Sequence, residues 1–221
     1  SFFTDFGLGA ALVQKKQELK QADLATTFTI QAGITLAIFL AVYASIGPIS
    51  IFFKLDNQAQ NLLLVLVFTI FLSSFKTIPS ILLERSINFG KLVFPQIIES
   101  LVFNGILVVL VLGGYGLDSF SFAFLISSLI GIPFYYLVSP WKIRIGIDKA
   151  SFSYLKFGIQ FQAKNVLGTI KDDLLTSILP LFLSFTQIGY IGFAQRLAFY
   201  VFRYVVDSVT KVTFSAYARA Q

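Results

Sequence analysis

Long apolar runs alternate with short polar stretches along the whole chain. Six of these runs are long enough to cross a bilayer as helices, and they are predicted at about 25–53, 62–83, 92–112, 117–138, 157–183 and 189–214. A further apolar stretch at 2–13 is too short to span, and we expect it to be the end of a helix that starts before residue 1. The pattern therefore predicts an all-α membrane fold, a polytopic transmembrane helix bundle of about six whole spans plus a truncated N-terminal helix.

Basic residues in the predicted loops alternate in number from one side of the bundle to the other. Only Lys54 falls in one set of loops, whereas the other set holds Lys15, Lys16, Lys20, Arg85, Lys91, Lys142, Arg144, Lys149 and Lys156. Cytoplasmic loops of membrane proteins carry the excess of Lys and Arg. The richer set is therefore predicted to be cytoplasmic, in a multi-pass protein of the plasma (inner) membrane.

Composition agrees with this class and excludes several kinds of chemistry. The chain is 56% hydrophobic and 13% charged, with a mean hydropathy of +0.80. Histidine and cysteine are absent, which removes Ser-His and Cys-His nucleophiles, imidazole or thiolate metal sites, and disulfides. The net charge is +6, and most of the basic residues lie in short loops between the apolar runs, which argues against nucleic-acid binding. We expect no catalytic residues, no metal site and no cofactor beyond a coupling H⁺ or Na⁺.

The predicted span 157–183 carries charges that a lipid-facing helix would not retain. At 100° per residue, its polar groups fall on one stripe about 100° wide and its lysines lie opposite. A charge at membrane depth costs several kcal/mol or more, so such groups face a bundle interior or a watery cavity. We interpret the span as cavity-lining, with the stripe formed by Gln162, Asn165, Thr169, Asp172, Asp173 and Thr176 and the opposite side by Lys164 and Lys171.

The last predicted span also has a polar face, on which Arg196 and Arg203 lie. The planar guanidinium fork suits phosphate groups because it donates two parallel hydrogen bonds. Arg203 could equally be an ordinary interfacial charge near the cytoplasmic end. The candidate substrate-binding residues are Arg196, Arg203, Lys164, Lys171, Gln162 and Asn165.

Three carboxylates are candidates for coupling to a proton or cation: Asp173, Asp172 and Glu99. For the two aspartates, the alternative is a structural salt bridge with Lys164, Lys171 or Arg196. For Glu99, the alternative is a satisfied interhelical hydrogen bond. Lys76, inside the predicted span 62–83, is expected to snorkel toward the nearer membrane surface.

Several motifs, taken in order, resemble a known family. They are Asp5–Gln14 followed by charges, Pro79–Phe89, the glycine-rich Gly113–Gly116, Leu155–Gly158, Ile188–Ala198 and Ala216–Gln221. They are similar to landmarks of the Wzx-type polysaccharide biosynthesis flippases of the multidrug/oligosaccharidyl-lipid/polysaccharide (MOP) exporter superfamily. One departure is Phe214-Ser215, where members usually have a proline after the aromatic residue.

The resemblance implies an internal fragment running from the end of the second helix to the end of the eighth. Residues 1–150 would be the remainder of the N-terminal helical lobe and its linker, and 151–221 the start of the C-terminal lobe. It further implies a bacterial or archaeal flippase for undecaprenyl-diphosphate-linked oligosaccharide units, such as those of O-antigen or exopolysaccharide. Members are thought to use an ion gradient; the implied partners are the lipid-linked oligosaccharide, membrane lipid and polysaccharide assembly proteins, with no nucleic acid.

Three alternatives stay open at this point, and the charged span 157–183 argues against one of them, a purely structural membrane subunit. A multidrug or cation antiporter of the same superfamily would favour acidic cavity residues, whereas basic residues outnumber acidic ones in the predicted spans 157–183 and 189–214. An intramembrane glycan polymerase or transferase would need a large soluble loop or a carboxylate cluster that holds a metal. No predicted loop exceeds about 15 residues, and Asp172 and Asp173 are neighbours that point about 100° apart on a helix. A transporter rather than an enzyme is the prediction.

Overall fold

The structure is a computed structural model that describes residues 18–148 continuously and, outside that range, residues 9, 12, 13, 183, 187, 189–197, 199, 206, 209, 210 and 213. The chain divides into two compact units, Ser1–Gly158 and Ile159–Gln221, and each is described by itself. In the second unit, residues 189–197 are helical. The domain boundary near residue 150 stays a prediction.

The first unit is a helical bundle without strands in its described part. Its helices are α1 (Gln21–Ala44), α2 (Ile46–Phe53), α3 (Asn57–Arg85), α4 (Phe89–Leu112) and α5 (Asp118–Val138). All except α2 are long and apolar enough to span a bilayer. The predicted all-α membrane bundle is therefore confirmed, with four of its spans described. The charged span predicted at 157–183 lies almost entirely outside the described residues.

The first predicted span is two helices rather than one, so its predicted bounds of 25–53 are wrong. α1 ends at Ala44, a turn follows at Ser45, and α2 starts at Ile46. The cause is Pro48, which has no backbone N–H to donate to Ala44 and whose ring clashes with the carbonyl four residues earlier. A continuous helix through this position would leave the Ala44 carbonyl without its partner.

Capping side chains mark the starts of α3 and α4. Asp56 starts α3 earlier than predicted, because its carboxylate accepts a hydrogen bond from the Ala59 amide at 2.8 Å. Asn88 starts α4 in the same way through the Lys91 amide. α4 ends at the predicted glycine-rich turn, where Gly114 and Gly116 adopt positive φ angles of 79° and 58° that glycine tolerates without strain.

Helix α5 packs against both α3 and α4, while α1 packs against α3. The main apolar core lies between α1 and α3 and includes Phe28, Ile78 and Ile81. Trp141, from the segment after α5, completes this core, with its ring 5.4 Å from that of Phe28. The start of α1, the end of α3 and the end of α5 therefore lie at the same end of the bundle.

Candidate functional site

An ion pair joins two spans deep in the bundle. Lys76 on α3 donates a hydrogen bond to Oε1 of Glu99 on α4. Lys76 lies nine residues before the end of α3 at Arg85, and Glu99 lies ten residues after the start of α4 at Phe89. At 1.5 Å per residue, each is about 14–15 Å from the same end of the bundle. The pair therefore lies well inside a hydrocarbon layer about 30 Å thick.

The predicted snorkelling of Lys76 is wrong. Its side chain is only 13% exposed and that of Glu99 22% exposed. The ammonium turns inward because a carboxylate at the same depth neutralises it, which is how charges are normally tolerated within a membrane. Glu99 is thus held in an interhelical contact, the alternative that the sequence left open. Its role in ion coupling stays a prediction.

Helix α5 makes room for the pair at Gly131. A Cβ atom at this position would overlap with Cγ, Cδ and Oε1 of the Glu99 side chain. Because α3 and α4 touch each other much less than either touches α5, the glutamate reaches Lys76 across the surface of α5. Only glycine leaves that path open.

Tyr135, one helical turn beyond Gly131, closes the site. Its side chain is buried, and the polar side chains of Gln96 and Ser80 lie near its hydroxyl. The Lys76 Nζ atom lies 6.0 Å from the centre of its ring, at the limit of a cation–π contact. Each of three helices thus contributes two residues to one site, which we call the polar cluster: Lys76 and Ser80 from α3, Gln96 and Glu99 from α4, and Gly131 and Tyr135 from α5.

The polar cluster has neighbours on the α1 side of α3. Thr77, next to Lys76, accepts a hydrogen bond of 2.9 Å from Nε2 of Gln31 on α1. Gln31 is completely buried, as are Thr26 and Thr35 on the same helix. Thr35 donates to the Gln31 carbonyl at 2.9 Å. Polar side chains therefore tie α3 to its neighbours on both sides at membrane depth.

An extended segment, 139–148, follows α5 and lies along the start of α1. The backbone amides of Gly146 and Asp148 donate to Oγ1 of Thr29 and Thr26, at 3.0 and 2.9 Å. The basic side chains of this segment, Lys142 and Arg144, are exposed. The end of the bundle predicted to be cytoplasmic therefore presents positive charge, as the loop composition indicated.

Of the residues predicted from the sequence to form the site, two are described. Glu99 lies in the polar cluster, and Arg196 is exposed on the helical stretch 189–197. The others lie outside the described residues: Arg203, Lys164, Lys171, Gln162, Asn165, Asp173 and Asp172. Within the described part of the chain, no group of three or more carboxylates comes together to hold a metal ion.

Sequence reasoning did not identify Lys76, Gln96, Gly131 or Tyr135 as site residues. The sequence did contain a signal for the ion pair, because Lys76 and Glu99 lie at equal depth in consecutive antiparallel spans and carry opposite charges. No comparable signal marks Gly131 or Tyr135, since the rotation of α5 decides which of its residues face α3 and α4. The cluster as a whole becomes visible only when the three helices are packed together.

These features define a polytopic α-helical membrane protein with a charged cluster buried between three spans. The sequence model of the polysaccharide biosynthesis protein family matches residues 1–221, and the chain belongs to that family. The resemblance drawn from its motifs is thereby confirmed at the level of the family, and the protein has a role in polysaccharide biosynthesis. No curated protein and no solved structure matched the chain.

Proposed function

We propose that the protein is a carrier that moves undecaprenyl-diphosphate-linked oligosaccharide from the cytoplasmic to the outer leaflet of a bacterial or archaeal plasma membrane. The observation that supports this most directly is the match of a polysaccharide biosynthesis family to all 221 residues of a chain with at least four spans. Polysaccharide units built on a lipid in the cytoplasmic leaflet must cross the membrane. A multi-span protein of this family suits that step better than it suits bond-making chemistry.

In this proposal the polar cluster couples transport to an ion gradient. A proton or Na⁺ bound at Glu99 would neutralise the carboxylate and release Lys76 from its partner. Because Lys76 and Glu99 belong to different helices, loss of the pair would allow α3 and α4 to shift relative to each other. Carboxylates inside membrane bundles commonly serve proton or ion coupling. Asp173 and Asp172 are the corresponding candidates in the charged span 157–183.

The lipid-linked substrate would be held by the basic and amide side chains of the later spans. Arg196 and Arg203 supply bidentate donors for a diphosphate. The remaining proposed substrate contacts are Lys164, Lys171, Gln162 and Asn165. The protein uses no cofactor other than the coupling ion, and it works beside other polysaccharide assembly proteins.

The test is leaflet transfer in cells that lack their own flippase and carry the full-length protein. Outer-leaflet lipid-linked oligosaccharide is measured by its access to an added glycan-cleaving enzyme. Arg196→Ala and Asp173→Asn are each expected to lower transfer at least tenfold at equal protein levels. Lys142→Ala, which removes an exposed basic residue of segment 139–148, serves as the matched control and retains full transfer.

Unchanged transfer in both Arg196→Ala and Asp173→Asn would overturn the assignment of the site. Purified protein that lengthens or releases the glycan would overturn the carrier proposal in favour of a polymerase or transferase. Export of cationic drugs without transfer of the lipid-linked sugar would instead identify an antiporter.

A further inference from the structure

A layer of apolar side chains lies between the ion pair and the nearer end of the bundle. This apolar layer consists of Leu83, Leu92, Phe89, Val138 and the ring of Tyr135. Leu83 lies two residues before the end of α3, and Leu92 lies three residues after the start of α4. Both are therefore about 3–5 Å from that end, whereas the ion pair lies about 14–15 Å inside. A cation that entered this layer would lose the water that solvates its charge.

Tyr135 carries a polar group past the apolar layer. Its ring belongs to the layer, while its hydroxyl lies near the side chains of Ser80 and Gln96. Ser80 lies five residues before the end of α3, and Gln96 lies seven residues after the start of α4. At 1.5 Å per residue, these two positions are about 8–11 Å from the end of the bundle. The hydroxyl therefore lies between the layer and the ion pair.

A row of polar residues on α3 follows the same path. Lys76, Ser80 and Glu84 are four residues apart, so they lie on one side of the helix in successive turns. Glu84 is half-buried and lies one residue before the end of α3. The charges of Glu84 and Glu99 both act on the Tyr135 hydroxyl. The hydroxyl is therefore within electrostatic reach of a carboxylate on each side of the apolar layer.

The groups near the Tyr135 hydroxyl suit an exchange of protons. The Ser80 hydroxyl donates to the Lys76 carbonyl at 2.9 Å, so its oxygen is oriented as an acceptor. The side-chain amide of Gln96 can donate or accept. The hydroxyl of a tyrosine both donates and accepts, so it can take up a proton at its oxygen while it releases its own. A proton can cross the layer in this way without an opening that a hydrated cation would need.

We propose that the Tyr135 hydroxyl relays a proton between Glu99 and the end of the bundle predicted to be cytoplasmic, so that the coupling ion is H⁺ and not Na⁺. This inference rests on the proposed role of Glu99 in ion coupling. In the direction of release, protonated Glu99 gives its proton to the tyrosine oxygen, and the hydroxyl gives its own proton to water beside Glu84. The tyrosine is unchanged after its hydroxyl rotates back. Glu99 becomes a carboxylate again and pairs with Lys76.

The test uses the full-length protein in liposomes that hold a pH-sensitive dye and lipid-linked oligosaccharide extracted from the flippase-deficient cells. A proton gradient is imposed, and transfer and proton movement are recorded together. Tyr135→Phe is expected to lower both at least tenfold. Ser80→Ala, which removes a positioning residue, is expected to lower both at least threefold.

Two variants serve as matched controls and are expected to stay within twofold of the wild type. Tyr136→Phe removes the neighbouring hydroxyl, whose ring packs against the core between α1 and α3. Ser74→Ala removes a hydroxyl that, like that of Ser80, donates to a carbonyl of its own helix. Ser74 lies on the opposite side of α3 from Lys76, because two residues correspond to about 200° of rotation.

Exchange at equal pH distinguishes a proton relay from a structural role of Tyr135. Exchange of labelled for unlabelled lipid-linked oligosaccharide between the leaflets requires the carrier to move but no net release of a proton. Tyr135→Phe is therefore expected to retain at least half of the wild-type exchange. Equal losses of exchange and of gradient-driven transfer would indicate a structural role and overturn the proposal. Gradient-driven transfer within twofold of the wild type in Tyr135→Phe would overturn it as well.

The wild-type protein itself separates this inference from the proposed function. Transfer that is driven by a Na⁺ gradient and moves no protons would overturn the relay and leave the carrier proposal intact. A wild-type protein that transfers no lipid-linked oligosaccharide under either gradient would overturn both.

Discussion

Gly131 on α5 lies directly beneath the side chain of Glu99 on α4, in a space that a single methyl group would fill. Gly131→Ala is therefore expected to displace Glu99 and to break its pair with Lys76, with a loss of about 2–3 kcal/mol in the free energy of unfolding. Thermal unfolding in detergent micelles measures the loss. Gly33→Ala is the matched control, because a Cβ at Gly33 on α1 meets nothing within 4 Å. Equal stability of the two variants would show that Glu99 does not depend on this gap.

The effects of replacing Lys76 and Glu99 on the free energy of unfolding are expected to be coupled. Removing one partner leaves a charge at bilayer depth without compensation, so Lys76→Leu and Glu99→Leu are each expected to lower the free energy of unfolding by roughly 2–4 kcal/mol. The double variant should lose less than either single one, since apolar pairs replace buried ion pairs at little or no cost. A double-mutant cycle measures the coupling.

The same variants distinguish a purely structural role of the Lys76–Glu99 pair from a role in ion coupling. The double variant is expected to fold and insert normally but to lose gradient-dependent transfer of the lipid-linked oligosaccharide. Full transfer in a stable double variant would show that the pair only joins α3 to α4. Additive losses in the two single variants would contradict a direct interaction between Lys76 and Glu99.

The hydroxyls of the adjacent residues Tyr135 and Tyr136 are expected to contribute differently to stability. Tyr135→Phe removes the hydroxyl that lies near the polar side chains of Gln96 and Ser80, and it is expected to lower the free energy of unfolding by about 1–2 kcal/mol. The Tyr136 hydroxyl is buried and makes no hydrogen bond within the described part of the chain. Tyr136→Phe is therefore expected to change stability by less than about 0.5 kcal/mol or to increase it. Unfolding curves of the two variants, recorded side by side, decide the matter; a larger loss for Tyr136→Phe would contradict the arrangement of the cluster.

The contact between α1 and α3 can be tested by an isosteric change. Thr77→Val removes the hydroxyl that accepts from Gln31, and it is expected to lower the free energy of unfolding by about 0.5–1.5 kcal/mol, the range for interhelical hydrogen bonds in membranes. Thr69→Val is the control, because the Thr69 hydroxyl donates only to Leu66 in its own helix. Losses of the same size would mean that the bond to Gln31 adds nothing to helix association.

The apolar runs and the turn residues of the sequence predicted most of the described fold, and each wrong helix boundary has an identifiable cause. The bounds of α4 and α5 followed closely from the apolar runs and from the glycines at 113–116. The break after Ala44 was not predicted, because Pro48 disrupts the helix four residues before its own position. The start of α3 was placed late because Asp56 was treated as part of a polar loop and not as a helix cap.

The site was less predictable than the fold, because it depends on how the helices are rotated against each other. Glu99 was predicted as a site residue because it is a carboxylate inside a predicted span. Its partner was assigned to the membrane surface, since snorkelling was considered for Lys76 alone and not for two charges at equal depth. Gly131 carries no functional group, so only its position against Glu99 shows what it contributes.

The orientation of the bundle is the remaining prediction, and it follows from which residues share an end. Segment 139–148, with Lys142 and Arg144, lies against the start of α1 and is predicted to be cytoplasmic. Asn57, at the start of α3, belongs to the opposite end. A membrane-impermeant maleimide is expected to label Asn57→Cys in intact cells and Lys142→Cys only after the cells are opened. The reverse pattern would place the polar cluster about 15 Å from the outer surface instead of the inner one, and Glu99 would then take its coupling ion from the opposite side.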